Sequence, residues 1–219
     1  NRVLKREEYM ELCGTGIWKL LLGAVYKMVI AAGAYKVMGY FDTGTAWYHW
    51  VGYAYAYGIY LFFDFAGYSL MAVGSSYMLG IETPENFRQP FISRDIREFW
   101  DRWHITLSHW FRDFIFTRFV MYSSKKKWFS TRLQRACAGF FVDMGIMGLW
   151  HGITPSYILY GLYHGLLLAA TETYQKKSKF YKKHKNKTWY QVISWAVTMQ
   201  LVFFGFFLFS GKLMELVGF

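Results

Sequence analysis

Long apolar runs alternate with short charged ones along this chain of 219 residues. The apolar runs cover residues 17–41, 47–79, 133–151, 155–174 and 189–209. About 20 apolar residues in a helix cross the hydrocarbon core of a bilayer, and each run has about that length or more. The pattern predicts an all-α membrane protein with several transmembrane helices, forming a single membrane domain over residues 1–219.

Two of these runs contain charges that need partners. Lys19, Lys27 and Lys36 lie on several faces of the first run, which argues against a simple lipid-exposed helix. We expect this segment to be tilted, interfacial or packed inside the protein. Asp64 is the only charge in the second run, and an acid buried in a membrane must be paired or protonated. Asp64 is therefore either an ion-pair partner or part of a polar path.

Non-spanning structure is predicted between the second and third runs. Residues 81–97 should form an ordered loop, because Pro84 and Pro90 interrupt any helix, and Ser93 is suited to cap the next one. Residues 98–122 should form one amphipathic interfacial helix, since they carry too many charges to span lipid. Its aromatic side comprises Phe99, Trp100, Trp103, Leu107, Trp110, Phe111 and Phe114. A narrower polar stripe holds Arg97, Asp101, His104, Ser108 and Arg112.

The formal net charge of +11 is concentrated in two basic clusters. One comprises Lys125, Lys126, Lys127, Arg132 and Arg135; the other lies in a predicted basic cytoplasmic loop over residues 175–188. Both flank apolar runs, so positive-inside topology and anionic membrane lipids account for them, and nucleic acid is not an expected partner. Two predicted spans separate the clusters, which places both on the cytoplasmic side.

Histidines are the candidate catalytic groups. His151 ends an otherwise apolar run, and intramembrane histidines commonly line a cavity or relay protons. His104 lies at the border of the aromatic side, one predicted helical turn after Asp101, where a neutral imidazole can be held in one tautomer. His164 is either functional or an interhelical hydrogen-bonding residue.

The residue types favour general-base chemistry over metal or serine chemistry. The chain has no HExxH pair, and Cys13 and Cys137 lack metal or redox spacing, so no metal site is expected. It also lacks a GxSxG elbow. A basic histidine that deprotonates a hydroxyl for attack on an activated acyl group fits these residues. Such assistance typically contributes about 10²–10⁴-fold to the rate.

A long motif block carries a resemblance to a known family. It runs FDFAGYSLMAVGSSYMLGIETPENFRQPFISRDIREFWDRWHITLSHWFRD and is followed, 47 positions after His104, by the histidine of GLWHG. This block resembles the membrane-bound O-acyltransferase (MBOAT) family, and FWDRWHITLSHWFRDFIFTRFVMYSSKKKW resembles the branch that transfers D-alanine in Gram-positive bacteria. The resemblance begins near residue 14 and covers about the C-terminal half of a full-length member. We therefore expect the chain to begin inside a longer protein.

The resemblance implies a site and its substrates. His151 matches the family's catalytic histidine and His104 its second motif histidine. From their own positions in the sequence, Asp101, Ser108, Asp64 and His164 are the candidate supporting residues. The implied donor is D-alanine, thioesterified to the phosphopantetheine arm of a small acidic carrier protein on the cytoplasmic face. The implied acceptor is a hydroxyl of lipoteichoic acid, reached with accessory membrane proteins of the same pathway. No tightly bound cofactor is expected.

Such a carrier would dock on an apolar patch bordered by cations. The predicted docking patch consists of Phe119, Val120, Met121, Lys125, Lys126 and Lys127. Acidic helices associate faster with basic surfaces, which favours this stretch. Anchoring in the membrane interface is the alternative explanation for the same residues.

Two other functions remain open at the level of sequence. The first is transfer of acetyl groups to an exopolysaccharide by another branch of the same family. The second is a non-catalytic membrane scaffold or flippase subunit, in which both histidines would tolerate replacement by Gln.

Overall fold

The computed structural model describes residues 5–44 and 46–218, and this part of the chain contains helices and no strand. The all-α class is therefore confirmed. The α-helices are α1 Arg6–Val25, α2 Ala32–Asp42, α3 Trp47–Met78, α4 Ile96–Trp100, α5 Ile105–Phe111, α6 Thr117–Lys125, α7 Arg132–His151, α8 Pro155–Lys177, α9 Lys179–His184, α10 Thr188–Phe209 and α11 Lys212–Leu216. Wider π-helical turns occupy Tyr26–Ala31 and Arg112–Phe116, and a 3₁₀ turn occupies Pro90–Ile92.

Three helical stretches are long and apolar enough to cross a membrane: Arg6–Asp42, Trp47–Met78 and Thr188–Phe209. The predicted runs 133–151 and 155–174 do form the helices α7 and α8. Their role as membrane spans, and the side that each loop faces, stay predictions.

The chain divides into two compact units, Asn1–Phe87 and Arg88–Phe219. In the first unit, α1 and α3 are antiparallel. They pack closely because glycines let the two backbones approach. A Cβ on Gly23 would lie 2.6 Å from the carbonyl oxygen of Gly67, and one on Gly16 would lie 2.6 Å from that of Gly74. Small residues at such crossings are typical of helix pairs in membranes.

Two lysines of the first unit are paired with carboxylates of the same unit. Lys27 Nζ lies 2.5 Å from Asp64 Oδ1, and Lys19 forms an ion pair with Glu85. Of the two possibilities for Asp64, the structure supports ion pairing. The sequence did not reveal that two of the three lysines would find carboxylates, because both partners lie at least 37 positions away in the chain.

The segment 81–97 is less simple than the predicted loop. Residues 81–89 are non-helical, but Pro90–Ile92 is a 3₁₀ turn and α4 already begins at Ile96. The cap prediction was wrong: the N-cap is Asp95, whose side chain accepts a hydrogen bond from the Glu98 backbone N–H, whereas the buried Ser93 hydroxyl donates to the carbonyl of Pro90.

The prediction of one helix over residues 98–122 was also wrong. The helix ends at Trp100, residues 101–104 form a turn, and a new helical stretch begins at Ile105. The break changes which aromatic residues are buried. Phe99, Trp100, Trp103 and Phe111 are buried as expected, whereas Trp110 and Phe114 are exposed.

The second unit is built on the close pair α7 and α8. A Cβ on Gly148 would lie 2.5 Å from the carbonyl oxygen of Tyr157, so the two helices cross at van der Waals distance. The α10 helix packs beside α8, where the Tyr163 hydroxyl donates to the carbonyl of Leu201. The predicted basic loop over 175–188 is mostly helical, because α8 extends to Lys177 and α9 fills residues 179–184.

The Gly148 crossing gives a stability prediction. We expect Gly148→Ala to destabilise the protein by about 1–3 kcal/mol, because the new methyl group meets a backbone carbonyl that cannot rotate away. Thermal unfolding of the detergent-extracted protein measures the change. Gly145→Ala is the matched control on the same helix, since no atom lies within 4 Å of its added Cβ. An equal melting temperature for the two variants would contradict the close crossing.

Candidate active site

Polar contacts hold the short helix α4 against α8 along its whole length. At its start, Gln175 Nε2 donates to Asp95 Oδ2 at 2.9 Å. One turn later, Arg97 pairs with the buried carboxylate of Glu172, which also accepts Lys176 at 2.5 Å. These contacts fix the position from which the 101–104 turn starts.

At the end of α4, Trp100 connects the helix to His164. The Trp100 Nε1–H donates to Nδ1 of His164 at 3.3 Å, and His164 is only 1% exposed. Because His164 accepts at Nδ1, its neutral ring carries the proton at Nε2. This nitrogen faces α10, where a Cβ on Gly205 would lie 2.6 Å away. The hydrogen bond from Trp100 joins α4 to α8. An interhelical hydrogen bond of this kind was one of the two expectations for His164.

The turn after α4 sets the orientation of His104. Its backbone is left-handed, with φ 45° and ψ 53°, an uncommon conformation for a residue with a Cβ that costs on the order of 1–2 kcal/mol. The His104 carbonyl accepts the Ser108 backbone N–H at 2.9 Å and so starts α5. Strained backbone of this kind persists where the surrounding packing fixes it, and it is concentrated at functional sites.

His151, the last residue of α7, lies half-buried among aromatic rings. Its ring centroid is 4.8 Å from Trp150 and 5.0 Å from Phe209, both edge to face. Tyr157 and Tyr160 complete the surroundings at 6.0 and 6.4 Å. Tyr160 also contacts His164 at 4.6 Å, so ring contacts connect His151 to His164 and from there to Trp100.

His104 and His151 belong to the same region of the second unit. Burial is the main cause that lowers the pKa of His104, to about 4, and the nearby His151 lowers it further. Two imidazoles that influence each other's charge in this way are within electrostatic reach. At neutral pH His104 is therefore an uncharged imidazole, able to accept a proton or to share a hydrogen bond.

The predicted supporting residues separate into two groups. Asp101 and Ser108 lie near the turn: Arg112 Nη1 is 3.7 Å from the Asp101 carboxylate, and the Ser108 hydroxyl donates to the Trp103 carbonyl. Asp64 belongs to the first unit, where Lys27 is its partner. The expectation that Asp101 precedes His104 by one helical turn fails, because no helix connects them.

A cavity of about 370 Å³ opens beside the turn. Asp101 and Ser108 line it, together with the basic residues Arg97, Arg112, Arg132 and Lys176. Its described lining includes neither His104 nor His151. Val120 of the predicted docking patch also lines it, so the cavity and the patch adjoin.

The predicted docking patch is partly accessible. Met121 is 64% exposed and the three lysines are exposed, whereas Phe119 and Val120 are half-buried. Phe119 contacts the rings of Trp128 and Phe129, and Val120 lies close to Gly139 of α7. The exposed apolar surface instead continues through Tyr122 and Trp128, which the sequence did not single out.

Several residues that build the site were missed from the sequence. Trp100 was assigned only to an aromatic side, and Glu172 and Gln175 were not considered, although Glu172 is an isolated acid in an apolar run. Tyr160 and Phe209 carry no polar signal that would select them. Within residues 5–44 and 46–218, no three His, Cys, Asp or Glu side chains are grouped as metal ligands.

The pKa of His104 gives a pH prediction. Because burial lowers it from about 6.5 to about 4, the unfolded chain binds this proton at a higher pH than the folded one. The associated stability is complete above about pH 6.5 and is lost as the pH falls toward 4. We expect nitrogen NMR of labelled histidine to show a neutral His104 ring at pH 6. Titration of this ring near pH 6.5 would contradict its burial, and His104→Asn, which cannot titrate, assigns the signal.

Comparison with known proteins places the chain in a family. The model of the membrane-bound O-acyltransferase family, MBOAT, matches residues 4–213. A teichoic acid D-alanyltransferase of Bacillus subtilis (strain 168) is 44% identical over 213 residues, covering 94% of this chain and 53% of the relative. One of Lacticaseibacillus rhamnosus is 40% identical over 99% of this chain and 56% of its own length.

A second group of relatives has a different name. The probable alginate O-acetylase AlgI of Pseudomonas syringae pv. tomato (strain ATCC BAA-871 / DC3000) is 38% identical over 80% of this chain and 30% of its own length. The chain spans about half the length of the D-alanyltransferases that it matches. The resemblance inferred from the motif block is confirmed, and the chain belongs to the membrane-bound O-acyltransferase family.

Proposed function

We propose that this chain carries the catalytic part of a D-alanyltransferase that uses a carrier-bound thioester as donor and a hydroxyl of lipoteichoic acid as acceptor. The observation that carries the proposal is the convergence of His104 and His151 in one unit, within electrostatic reach. Family membership and the 44% identity to a teichoic acid D-alanyltransferase support the same function.

In the proposed mechanism, His151 acts as the general base. Its imidazole removes the proton of the acceptor hydroxyl while the oxygen attacks the thioester carbonyl. The carbon–sulfur bond then breaks, the thiolate leaves, and the proton held by His151 returns to the sulfur. The aromatic rings of Trp150, Tyr160 and Phe209 restrict water around the base, which strengthens electrostatic interactions in the site.

His104 supports this reaction from the other side of the site. Its neutral ring adds no charge that would oppose protonation of His151, and it provides a hydrogen-bonding group for the acceptor or for the tetrahedral intermediate. The left-handed turn holds this ring in one orientation, which limits the reorganisation that would otherwise accompany each turnover.

In this proposal, the donor arm enters the second unit at the cavity beside the docking patch. Arg112, Arg132 and Lys176 line this cavity, and their charges suit the phosphodiester that joins a pantetheine arm to its carrier. The patch presents exposed Met121 with the lysines 125–127, a surface suited to an acidic helix with an apolar face. We assign the basic side of the unit to the cytoplasm on the basis of the positive-inside rule.

Acetyl transfer to a polysaccharide is the second candidate function. The identity to probable alginate O-acetylases over 80% of the chain favours it, and the same two histidines would serve. Supplying the purified protein with either D-alanyl carrier or an acetyl donor distinguishes the two. A non-catalytic scaffold would transfer neither group and would tolerate Gln at both histidines.

His151→Ala is expected to lower D-alanine transfer by about 10²–10⁴-fold, because general-base assistance is lost. Incorporation of radiolabelled D-alanine from the loaded carrier measures the loss, with protein amount checked by immunoblot. His184→Ala, in α9 at the far end of α8, is the matched control and should retain activity. Turnover that survives in His151→Ala would assign the base to another group.

The docking patch can be tested by substitutions that change both its charge and its apolar surface. We expect Met121→Asp combined with Lys→Glu at 125, 126 and 127 to abolish carrier pull-down, because both the apolar contact and the attraction are removed. Met121 is exposed, so the substitution should not disturb folding.

The control for this experiment reverses the charge of the same number of lysines elsewhere in the chain. Lys→Glu at 179, 182 and 183 alters the second basic cluster, whose lysines are also exposed. Equal pull-down by the two sets of variants would remove the patch from consideration and leave membrane anchoring as its role.

A further inference from the structure

The second unit contains another and larger cavity, the α8–α10 cavity, which lies between these two helices. Its volume is about 680 Å³, and the start of α4 forms its third wall. Among the described residues that line it there is no histidine and no member of the predicted docking patch. The α8–α10 cavity is therefore separate from the residues assigned to D-alanine transfer.

Two tyrosine contacts define the length of this cavity. Near the basic end of the helix pair, the Tyr190 hydroxyl donates to the hydroxyl of Tyr174 at 3.4 Å. Deeper along the pair, the Tyr163 hydroxyl donates to the carbonyl of Leu201 at 3.0 Å. The two contacts are 11 residues apart on each helix, which is about 16 Å at the helical rise. The lining on α10 covers the same length.

This length matches the depth of one leaflet of a bilayer. The hydrocarbon core of a bilayer is about 30 Å thick, so one leaflet contributes about 15 Å. The α10 helix is one of the stretches long and apolar enough to cross a membrane. Two of its apolar side chains in the cavity wall, Ile193 and Val197, are each 54% exposed. They lie about one turn apart, so an acyl chain that runs along α10 can cover both.

Two cations lie at one end of the cavity, next to the start of α10. Lys185 comes three positions before the first residue of α10, and its Nζ lies 6.0 Å from the centroid of the Tyr181 ring. Arg94 comes directly before Asp95, which Gln175 holds near the end of α8. Both cations are exposed, and no ion pair holds either of them in the part of the chain that the structure describes.

The carboxylates of the cavity wall are already occupied by other groups. Asp95 accepts the Glu98 backbone N–H as well as the amide of Gln175. Glu98 pairs at 2.8 Å with Arg102, which is not part of the lining and offsets its charge. The cations are therefore the charged groups that remain available to an external ligand.

Three tyrosines line the same end of the cavity. The Tyr181 ring centroid lies 5.7 Å from that of Tyr174 and 6.1 Å from that of Tyr190. Phenol hydroxyls can donate hydrogen bonds to phosphate and ester oxygens, and tyrosine is enriched at membrane–water interfaces. From the basic end inward, the wall thus changes from cations and hydroxyls to apolar side chains.

We propose that the α8–α10 cavity binds one anionic phospholipid from the leaflet on the side of the basic loop. Its phosphate lies between Arg94 and Lys185, and one acyl chain runs along Ile193 and Val197 toward Leu201. Basic pockets between membrane helices are a known way to bind such headgroups. This is one defined site, in contrast to a diffuse attraction of lipids to all the lysines of the loop. It requires only that α10 spans the membrane and does not depend on the proposed function.

Native mass spectrometry of the intact, detergent-purified protein tests the headgroup contact. The probes are dioleoyl phosphatidylglycerol, which is anionic, and dioleoyl phosphatidylcholine, which has the same chains and no net charge. We expect wild type to bind one phosphatidylglycerol about tenfold more tightly, because two cations meet its phosphate. Arg94→Gln with Lys185→Gln should remove this preference. Equal affinity of wild type for the two lipids would overturn the proposal.

Two further double variants separate the site from net charge and from damage to the fold. Lys179→Gln with Lys183→Gln removes the same charge from α9, outside the cavity lining, and should keep the preference. Arg94→Lys with Lys185→Arg keeps both charges in the cavity and should also keep it. If the α9 variant loses as much affinity for phosphatidylglycerol as the cavity variant, or if the charge-keeping variant loses the preference, the site is not where we place it.

The acyl chain is tested on the other wall of the cavity. Val197→Trp places a large ring in the path of the chain, whereas Val192→Trp does so at a position of the same helix that is 55% exposed and does not line the cavity. We expect only Val197→Trp to weaken both lipids, by about threefold or more, because it removes apolar contact. Equal affinities in the two variants would contradict a chain in the cavity. Displacement of the lipid by an equal concentration of glycerol 3-phosphate would likewise show a site for free phosphate and not for a lipid.

Discussion

The attachment of α4 to α8 is the constraint on which the candidate site depends. A five-residue helix has no stability of its own, since nucleation is unfavourable and few hydrogen bonds repay it. Here the buried Glu172 carboxylate holds Arg97, and Trp100 donates to His164. These contacts determine where the chain turns at 101–104 and hence where His104 lies.

Close helix crossings supply the rigid support for this attachment. Gly148 lets α7 approach α8, and Gly205 leaves room for the His164 ring against α10. His151 ends α7, so any separation of α7 from α8 would move it away from Tyr160 and from His104. The two histidines thus depend on the same packed core, although 47 positions separate them in the sequence.

The sequence predicted much of the fold and less of the site. Apolar runs of helical length were sufficient to locate α3, α7, α8 and α10, because periodicity and length are local properties. The break after Trp100 was not predictable from the same pattern, since the aromatic spacing continues through it and only tertiary contacts stop the helix. In the same way, ion pairs such as Lys27 with Asp64 join residues that no local pattern connects.

The motif block identified His104 and His151 as candidate residues. That both belong to one unit, within electrostatic reach of each other, is known only from the fold. Asp143 shows the difference clearly: in the sequence it is a charge in an apolar run, and only the fold shows that its Oδ1 is buried without a hydrogen-bond partner among the described residues. Trp100 and Glu172 support other residues of the site. Their roles can be recognised only when the structure shows their partners, His164 and Arg97.

The most direct test of this account measures whether positions 104 and 151 lie close enough to be cross-linked in the membrane-embedded protein. After replacement of Cys13 and Cys137 by Ser, the His104→Cys/His151→Cys pair is treated with a short bifunctional thiol reagent and analysed by mass spectrometry. The account predicts an intramolecular cross-link that the control pair His104→Cys/His184→Cys does not form. Equal and low cross-linking of the two pairs would show that the histidines do not share a site.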